Sequence, residues 1–315
     1  MDTITTRIDH VTLVPEDWKK TVLPAPPSIK WELYSGCQYA CSYCSIQAEN
    51  KNNRMDLELF KRASKQALDF GVREAGLFFI GESTLAPDLL LDALRWVKQI
   101  GYPYVFLTTN GANLSPDLAE ELMNCGIDSL KFSINAADAL QFREVMRVKP
   151  ALFDRALQNL QEAWRIRNGG GYQTRIYASS IELDGEQGKR LEALLERQVR
   201  PFVDEHYMLP NFGQMSSKNA EKNRAMGFRP SAGNQGRLQN LREVLPCWSA
   251  FREGHVRWNG MLSACCFGAT PDWDCGDLNE QSFAEAWNSQ AYQDLRAAHL
   301  RGDVHGTPCE SCVYG

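Results

Sequence analysis

From Ile29 to about Asn211, short β-rich runs alternate with amphipathic stretches, which restricts the chain to folds made of repeated β-α units around a parallel sheet. The runs are IKWELY (29–34), GLFFI (76–80), YVFLTT (104–109), SLKFSI (129–134), TRIYASSI (174–181) and FVDEHYML (202–209). Between them lie LELFKRASKQALDF, PDLLLDALRWVKQI, SPDLAEELMNC and FDRALQNLQEAWRIR, several opened by Asp, Ser or Pro where helices start. Six units predict an α/β fold, an open partial (β/α)6 TIM-like barrel, because a closed eight-unit barrel needs roughly 250 residues. A doubly wound sheet is the rival for the same alternation. At 315 residues, 43% of them hydrophobic, the chain has room for such a barrel and a small appendage.

The rest of the organisation follows from where the pattern stops. Residues 1–28 form an N-terminal extension, 29–211 the barrel, 212–246 a bridging segment and 247–315 a small C-terminal region. The bridge is rich in Asn, Gly, Ser and basic residues. Its Lys218, Lys222, Arg224, Arg229, Arg237 and Arg242 outnumber Glu221 and Glu243, which reads either as a face for an anionic substrate group or as a solvated loop. A net charge of −5 argues against nucleic-acid and membrane-surface partners, which need a dominant basic field. The first thirty residues lack the apolar run of a signal peptide, and nothing approaches the roughly 20 apolar residues of a membrane span. The expected compartment is the cytoplasm.

Ten cysteines in a cytoplasmic chain point to metal ligation, because disulfides are disfavoured there. Three of them, Cys37, Cys41 and Cys44, sit in SGCQYACSYCSIQ directly after the first predicted strand, at the strand end where α/β folds build their sites. A structural zinc normally takes four ligands, whereas here there are three and no nearby His. A four-iron cluster on three thiolates leaves one iron open to bind something else.

The spacing Cys37-x-x-x-Cys41-x-x-Cys44, with Tyr43 before the third cysteine, resembles the signature of the radical S-adenosylmethionine (SAM) superfamily. The resemblance implies that the open iron chelates the amino and carboxylate groups of SAM. It also implies that a reduced cluster cleaves SAM to a 5′-deoxyadenosyl radical, which abstracts hydrogen from the substrate. IGESTL resembles the family's Gly-Gly-Glu-Pro segment, with Gly81 and Glu82 in the matching places and Ile80 and Ser83 departing from it. TTNG (108–111) is similar to the family's third strand end. By the same resemblance Ser133 and Asn135 in FSIN are placed for the ribose or methionine carboxylate. Arg147 is a candidate carboxylate partner, or else a surface arginine.

Near the C-terminus, GHVRWNGMLSACC reads as two strands joined by Asn259-Gly260, a pair suited to a type I′ turn with positive φ at both positions. Cys247, Gly260 and Cys265, then the helical SFAEAWNSQAYQDLRAAHL and Cys309-Glu310-Ser311-Cys312, resemble the SPASM extension in its shortened, Twitch form. The resemblance implies a small β-hairpin and helix domain holding an auxiliary 4Fe–4S cluster through Cys247, Cys265, Cys309 and Cys312. A fully ligated cluster suits electron transfer. Cys266 and Cys275 are left over beside it, either as hydrogen-atom donors or as packing residues and alternative ligands. Cys125 reads as a small buried residue, and His206 and His255, without paired spacing, as structural.

The expected function is hydrogen abstraction from a carbohydrate-like small molecule (sugar, aminocyclitol or nucleoside), giving an oxidoreductase or an epimerase. Only about 28 residues precede the first strand, too few for a leader-binding domain, which lowers the alternative of a ribosomal-peptide maturase. A non-catalytic Fe–S or zinc-binding module is the alternative of another class. Flavodoxin or ferredoxin would supply low-potential electrons.

Overall fold

The computed structural model describes residues 3–44, 52–212, 225, 230–268 and 270–314. A short helix, α1 Ile4–Val11, leads into six parallel strands: β1 Ser28–Trp31, β2 Glu74–Gly76, β3 Tyr104–Thr109, β4 Ser129–Ser133, β5 Arg175–Ile181 and β6 Glu205–Leu209. These lie side by side in chain order. A doubly wound sheet reverses its order at a switch point. This one does not reverse, and its order ends on β6 instead of returning to β1, as an open partial barrel requires.

The crossovers are α2 Leu57–Phe70, α3 Pro87–Gln99, α4 Pro116–Asn124, the pair α5 Ala139–Met146 and α6 Ala151–Gly170, and α7 Gly185–Leu194. Local chemistry sets their ends. The Asp56 and Ser115 side chains accept from Leu59 N (2.8 Å) and Leu118 N (3.3 Å), satisfying orphan donors at the starts of α2 and α4. Gly71 ends α2 at φ +130°, a conformation closed to ordinary side chains.

Period-two alternation gives each strand two faces. In β3, Val105, Leu107 and Thr109 are buried against the helices, while Tyr104, Phe106 and Thr108 line the barrel interior. In β4, Leu130 and Phe132 face outward, whereas Ser129 and Lys131 face the lumen. The apolar run 76–80 misplaces β2: the ladder ends at Gly76, and Phe78 and Phe79 turn into the cavity instead. Strand β6 begins at Glu205, not 202, because residues 200–202 form a 3-10 turn.

The C-terminal region contains α8 Ser249–Arg252, β9 Glu253–Val256, β10 Met261–Ser263, β11 Asp274–Asp277, α9 Phe283–Trp287, α10 Gln290–Leu300 and α11 Glu310–Val313. Before it, β7 Asn211–Phe212 pairs with β8 Pro230–Ser231. The expected hairpin is present, and its first strand pairs in parallel with β1, from Ser28↔Glu253 to Trp31↔Val256. The barrel sheet therefore continues through β9, β10 and β11 to nine strands. The turn is not type I′: Gly260 has φ +88°, but Asn259 is not in the positive-φ region. Gly260 N donates to Arg257 O at 2.9 Å, so only the closing glycine needs the left-handed conformation.

Helix α1 lies in the segment expected to be a plain extension. Ile4, Ile8 and Val11, at helical spacing behind the Thr3 cap, are the signal for it. It closes the end of the lumen at the strand N-termini: Ile4 N donates to Glu205 Oε2 at 2.9 Å, and Arg7 pairs with Glu74 at 2.6 Å above the Tyr104 ring.

Candidate active site

The loop from Ser35 to Cys44 leaves the C-terminal end of β1 and is held by backbone bonds to the last turn of α5. Ala40 N donates to Met146 O at 3.0 Å and Ser42 N to Val145 O at 2.8 Å. Those carbonyls are available because a helix leaves its last C=O groups unpaired. Arg147 ends α5 in the left-handed region at φ 56°, ψ 35°, the one non-glycine among the described residues to do so. Its side chain is exposed. Cys41 Sγ lies 3.1 Å from Met146 Sδ, and Cys37 Sγ accepts from Tyr39 N at 3.4 Å.

Glu82, buried after β2, closes the opposite side. Its carboxylate accepts from Thr84 N (3.2 Å), Thr84 Oγ1 (2.7 Å), Thr109 Oγ1 (2.9 Å) and Asn110 N (2.8 Å). Burial raises its carboxyl above the usual range, and these bonds oppose the rise. Asn110 in turn exchanges side-chain bonds with Gln38 (2.9 and 3.2 Å) and reaches Cys37 Sγ at 3.8 Å. Gly81 is required by packing, since a Cβ there would stand 1.8 Å from the Tyr34 carbonyl oxygen.

Asn135, expected to face SAM, is largely committed to the scaffold. Its Nδ2 donates to Tyr43 OH at 2.8 Å and its Oδ1 accepts from Ile181 N at 2.9 Å, leaving one N–H to offer. Ser133 is half-buried at the end of β4.

Four of the C-terminal thiols, Cys247, Cys265, Cys309 and Cys312, line one small enclosed cavity with His299 and Trp273. Burial raises the Cys247 and Cys309 thiols well above the ordinary range and pushes Cys37 up to about 12. Such desolvated thiols stay protonated unless a cation arrives to supply positive charge. Among the described residues no three His, Cys, Asp or Glu side chains converge tightly enough for a single metal ion. Three thiols on one loop and four around one cavity suit multi-iron clusters, whose ligands stand apart from one another.

The barrel lumen is a cavity of about 290 Å³. Its rim at Phe79 and Thr108 adjoins Gly81-Glu82 and Thr109-Asn110, and Asn234 lines both this cavity and the C-terminal one. Cys266 faces the lumen, with its Sγ 3.3 Å from Asn234 Nδ2, whereas the neighbouring Cys265 faces the enclosed cavity. Cys275 is placed apart from the lumen wall, on β11 among Asp274, Arg296 and Cys309. Cys125 closes α4, half-buried against the core.

Two lumen features were not legible in the sequence. Lys30 Nζ pairs with Glu253 Oε2 at 2.6 Å, and His255 Nε2 lies 2.9 Å from the same oxygen. Burial alone would raise the Glu253 carboxyl, but Lys30 and His255 bring it down to about 2. Lys131 Nζ donates to Tyr207 OH at 3.0 Å. No carboxylate pairs with Lys131 among the described residues, while Arg7 and Lys30 have Glu74 and Glu253. His206 contacts Ser180 Oγ at 3.0 Å, and burial lowers it to about 4.

The basic run of the bridge does not supply a described anion site. Arg237 pairs with Asp9, and Arg242 donates to Thr12 O (2.7 Å) and Asp9 O (2.9 Å), so both brace α1. Lys218, Lys222, Arg224 and Arg229 lie outside the described residues.

The family model "Radical SAM superfamily" matches residues 31–169, and "Iron-sulfur cluster-binding domain" (SPASM) matches 247–313. The chain belongs to the radical SAM superfamily. The match puts SAM and 4Fe–4S clusters among the cofactors of this radical SAM enzyme and a SPASM/Twitch-type domain at its C-terminus.

Curated relatives include two named "Probable GTP 3',8-cyclase". The one from Saccharolobus solfataricus is 33% identical over 132 residues, 42% of this chain and 41% of the relative. The one from Sulfurisphaera tokodaii is 31% identical over 174 residues, 55% of this chain and 52% of the relative. The chain thus spans about half, or less, of the length of these relatives.

Among solved structures, Streptococcus suis SuiB bound to precursor peptide SuiA has a TM-score of 0.64 at 15% identity, covering 88% of this chain and 68% of that one. Native anSMEcpe with bound AdoMet has 0.61 at 13%, covering 91% and 88%. At these identities the likeness is one of fold. No helix among the described residues of this radical SAM enzyme is long and apolar enough to cross a membrane.

Proposed function

We propose that this radical SAM enzyme abstracts hydrogen from a small, hydroxylated, anionic molecule held in the barrel lumen and that Cys266 returns a hydrogen to it, giving net epimerisation. In this reading Cys37, Cys41 and Cys44 hold the SAM-binding cluster, and Cys247, Cys265, Cys309 and Cys312 the auxiliary one. Tyr43, Gly81, Glu82, Ser133, Asn135 and Arg147 shape or line the SAM site. The observation that carries the proposal is the placement of Cys266: its thiol faces the lumen while its neighbour Cys265 faces the auxiliary cavity.

When bound, SAM and its cluster would supply a 5′-deoxyadenosyl radical able to take one hydrogen atom from a substrate carbon. Cys266 then gives its S–H hydrogen to the opposite face of that carbon. The sulfur radical is returned to a thiol by one electron, from the low-potential donor the chemistry already requires, and one proton. The Lys30–Glu253–His255 network lies beside Cys266 to pass that proton. Lys131, whose described partner is the Tyr207 hydroxyl, suits a carboxylate or phosphate on the substrate. A lumen of about 290 Å³ walled by Phe78, Tyr104, Phe106, Tyr177 and Trp248 fits a sugar-sized ligand.

The names of the curated relatives favour a second reading, in which a purine nucleotide is cyclised. A nucleotide is also anionic and hydroxylated, so the two readings are separated by product. Anaerobic turnovers in D2O with sugars or aminocyclitols bearing an anionic group, with GTP, and with peptides are compared by mass. The proposal expects one solvent deuterium on a carbon of a product otherwise isomeric with substrate. A product two mass units lighter supports dehydrogenation instead, and a cyclised nucleotide supports the second reading. Cys266→Ala is expected to keep 5′-deoxyadenosine formation and lose the epimer, whereas Cys275→Ala keeps both. An unchanged product from Cys266→Ala ends the proposal.

A further inference from the structure

One imidazole, His299 near the end of α10, touches two of the thiol-bearing residues around the C-terminal cavity. It is 2% exposed and lines that cavity. Its Nδ1 lies 3.1 Å from the backbone N–H of Cys247, and its Nε2 lies 3.2 Å from Cys309 Sγ. A nitrogen that accepts from a backbone N–H must be the unprotonated one. The ring proton of the neutral imidazole therefore sits on Nε2 and points at Cys309 Sγ.

We infer that His299 is a positioning residue that raises the reduction potential of the auxiliary cluster by donating Nε2–H to Cys309 Sγ, while its Nδ1 fixes the Cys247 backbone. The inference rests on the proposed ligation by Cys247, Cys265, Cys309 and Cys312. A hydrogen bond to a ligating sulfur draws electron density from it and stabilises the reduced cluster, which carries one more negative charge. The two contacts also tie the first thiol of the set, before α8, to the third, before α11. His299 thus orders ligands from separate parts of the chain. Paired His spacing is absent, so the sequence carries no signal for this role; the contact depends on α10 packing beside Phe251, whose ring lies 6.1 Å from the imidazole.

The test is a redox titration of reconstituted full-length protein followed by EPR, comparing wild type with His299→Leu and His299→Gln. Gln reaches as far as Nε2 and keeps an N–H donor for Cys309; Leu keeps bulk and donates nothing. At a fixed poise the reduced-to-oxidised ratio of the auxiliary signal is expected to fall about tenfold in His299→Leu, which for one electron is about 59 mV. His299→Gln should recover most of it, and the SAM-binding cluster should not shift. An unchanged or raised potential in His299→Leu with a full iron complement overturns the inference.

Should His299→Leu lose auxiliary iron, wild-type protein grown on 15N-histidine decides by pulsed EPR. A weak 15N coupling to the reduced auxiliary cluster supports the bond, and its absence overturns it. A wild-type iron content of about four per chain would defeat the ligation itself, a different failure from an unshifted potential.

Discussion

Replacing Cys41 with alanine is expected to abolish SAM cleavage while lowering iron from about eight to about four per chain, as loss of one of two 4Fe–4S clusters requires. The fold should survive, because the loop is anchored by the Ala40 and Ser42 amides on the Met146 and Val145 carbonyls, neither of which uses the Cys41 side chain. What disappears is one of three thiolates, and two cannot hold a four-iron cluster against solvent. Anaerobic iron and sulfide analysis, with chromatographic detection of 5′-deoxyadenosine, checks both halves. Cys41→Ala protein with eight irons and normal cleavage would remove Cys41 from the ligand set.

Glu253→Gln is expected to destabilise the protein by about 3–5 kcal/mol, the usual cost of leaving a buried charge without its partner. The stranded charge is the Lys30 ammonium, whose side chain is 17% exposed against 5% for Glu253. Exchanging both, as Lys30→Met with Glu253→Leu, should come close to wild type, since apolar replacements of buried pairs are often neutral.

The pH dependence has a definite sign. The folded Glu253 carboxyl is brought down to about 2, and the unfolded one titrates near 4.3. Its stabilisation is therefore complete above about 4.3 and is lost as the pH falls from there towards about 2. The Lys30 ammonium is raised by Glu253 despite the opposing effect of burial. Its contribution is complete below the unfolded value of about 10.4 and is lost as the pH rises through the folded one. Urea unfolding across acidic and alkaline pH measures this, and a Glu253→Gln variant within about 1 kcal/mol of wild type would show that the pair contributes no more than a surface bridge.

Local patterns were readable in this chain and distant pairings were not. The sequence places α2 at 57–70 and β3 at 104–109, where the structure has them, because capping residues and two-sided strands leave marks on neighbouring positions. The triplet of Cys37, Cys41 and Cys44 was visible for the same reason. The parallel pairing of β9 with β1 joins segments more than 200 residues apart, and nothing near Glu253 announces Ser28. The Lys30–Glu253 pair in the lumen follows from that pairing, and so was equally hidden.

The type I′ expectation failed on Asn259, because a longer connection needs a left-handed residue only at Gly260. Asn135 lies just past the end of β4, and its amide binds Tyr43 and the Ile181 N–H, partners supplied by other strands and loops that the local sequence does not announce. Arg237 and Arg242 looked like a charged face and are instead fastened to α1, a helix whose short Ile4, Ile8, Val11 stripe is easily passed over.

The proposed chemistry needs one cluster with an open iron, on Cys37, Cys41 and Cys44, and one without, on Cys247, Cys265, Cys309 and Cys312. EPR of the dithionite-reduced protein with and without SAM tests this most directly. Two 4Fe–4S signals are expected, of which only the one lost in Cys41→Ala shifts when SAM is added, while the other is indifferent to it. A single signal, or two that both respond or both ignore SAM, would contradict it.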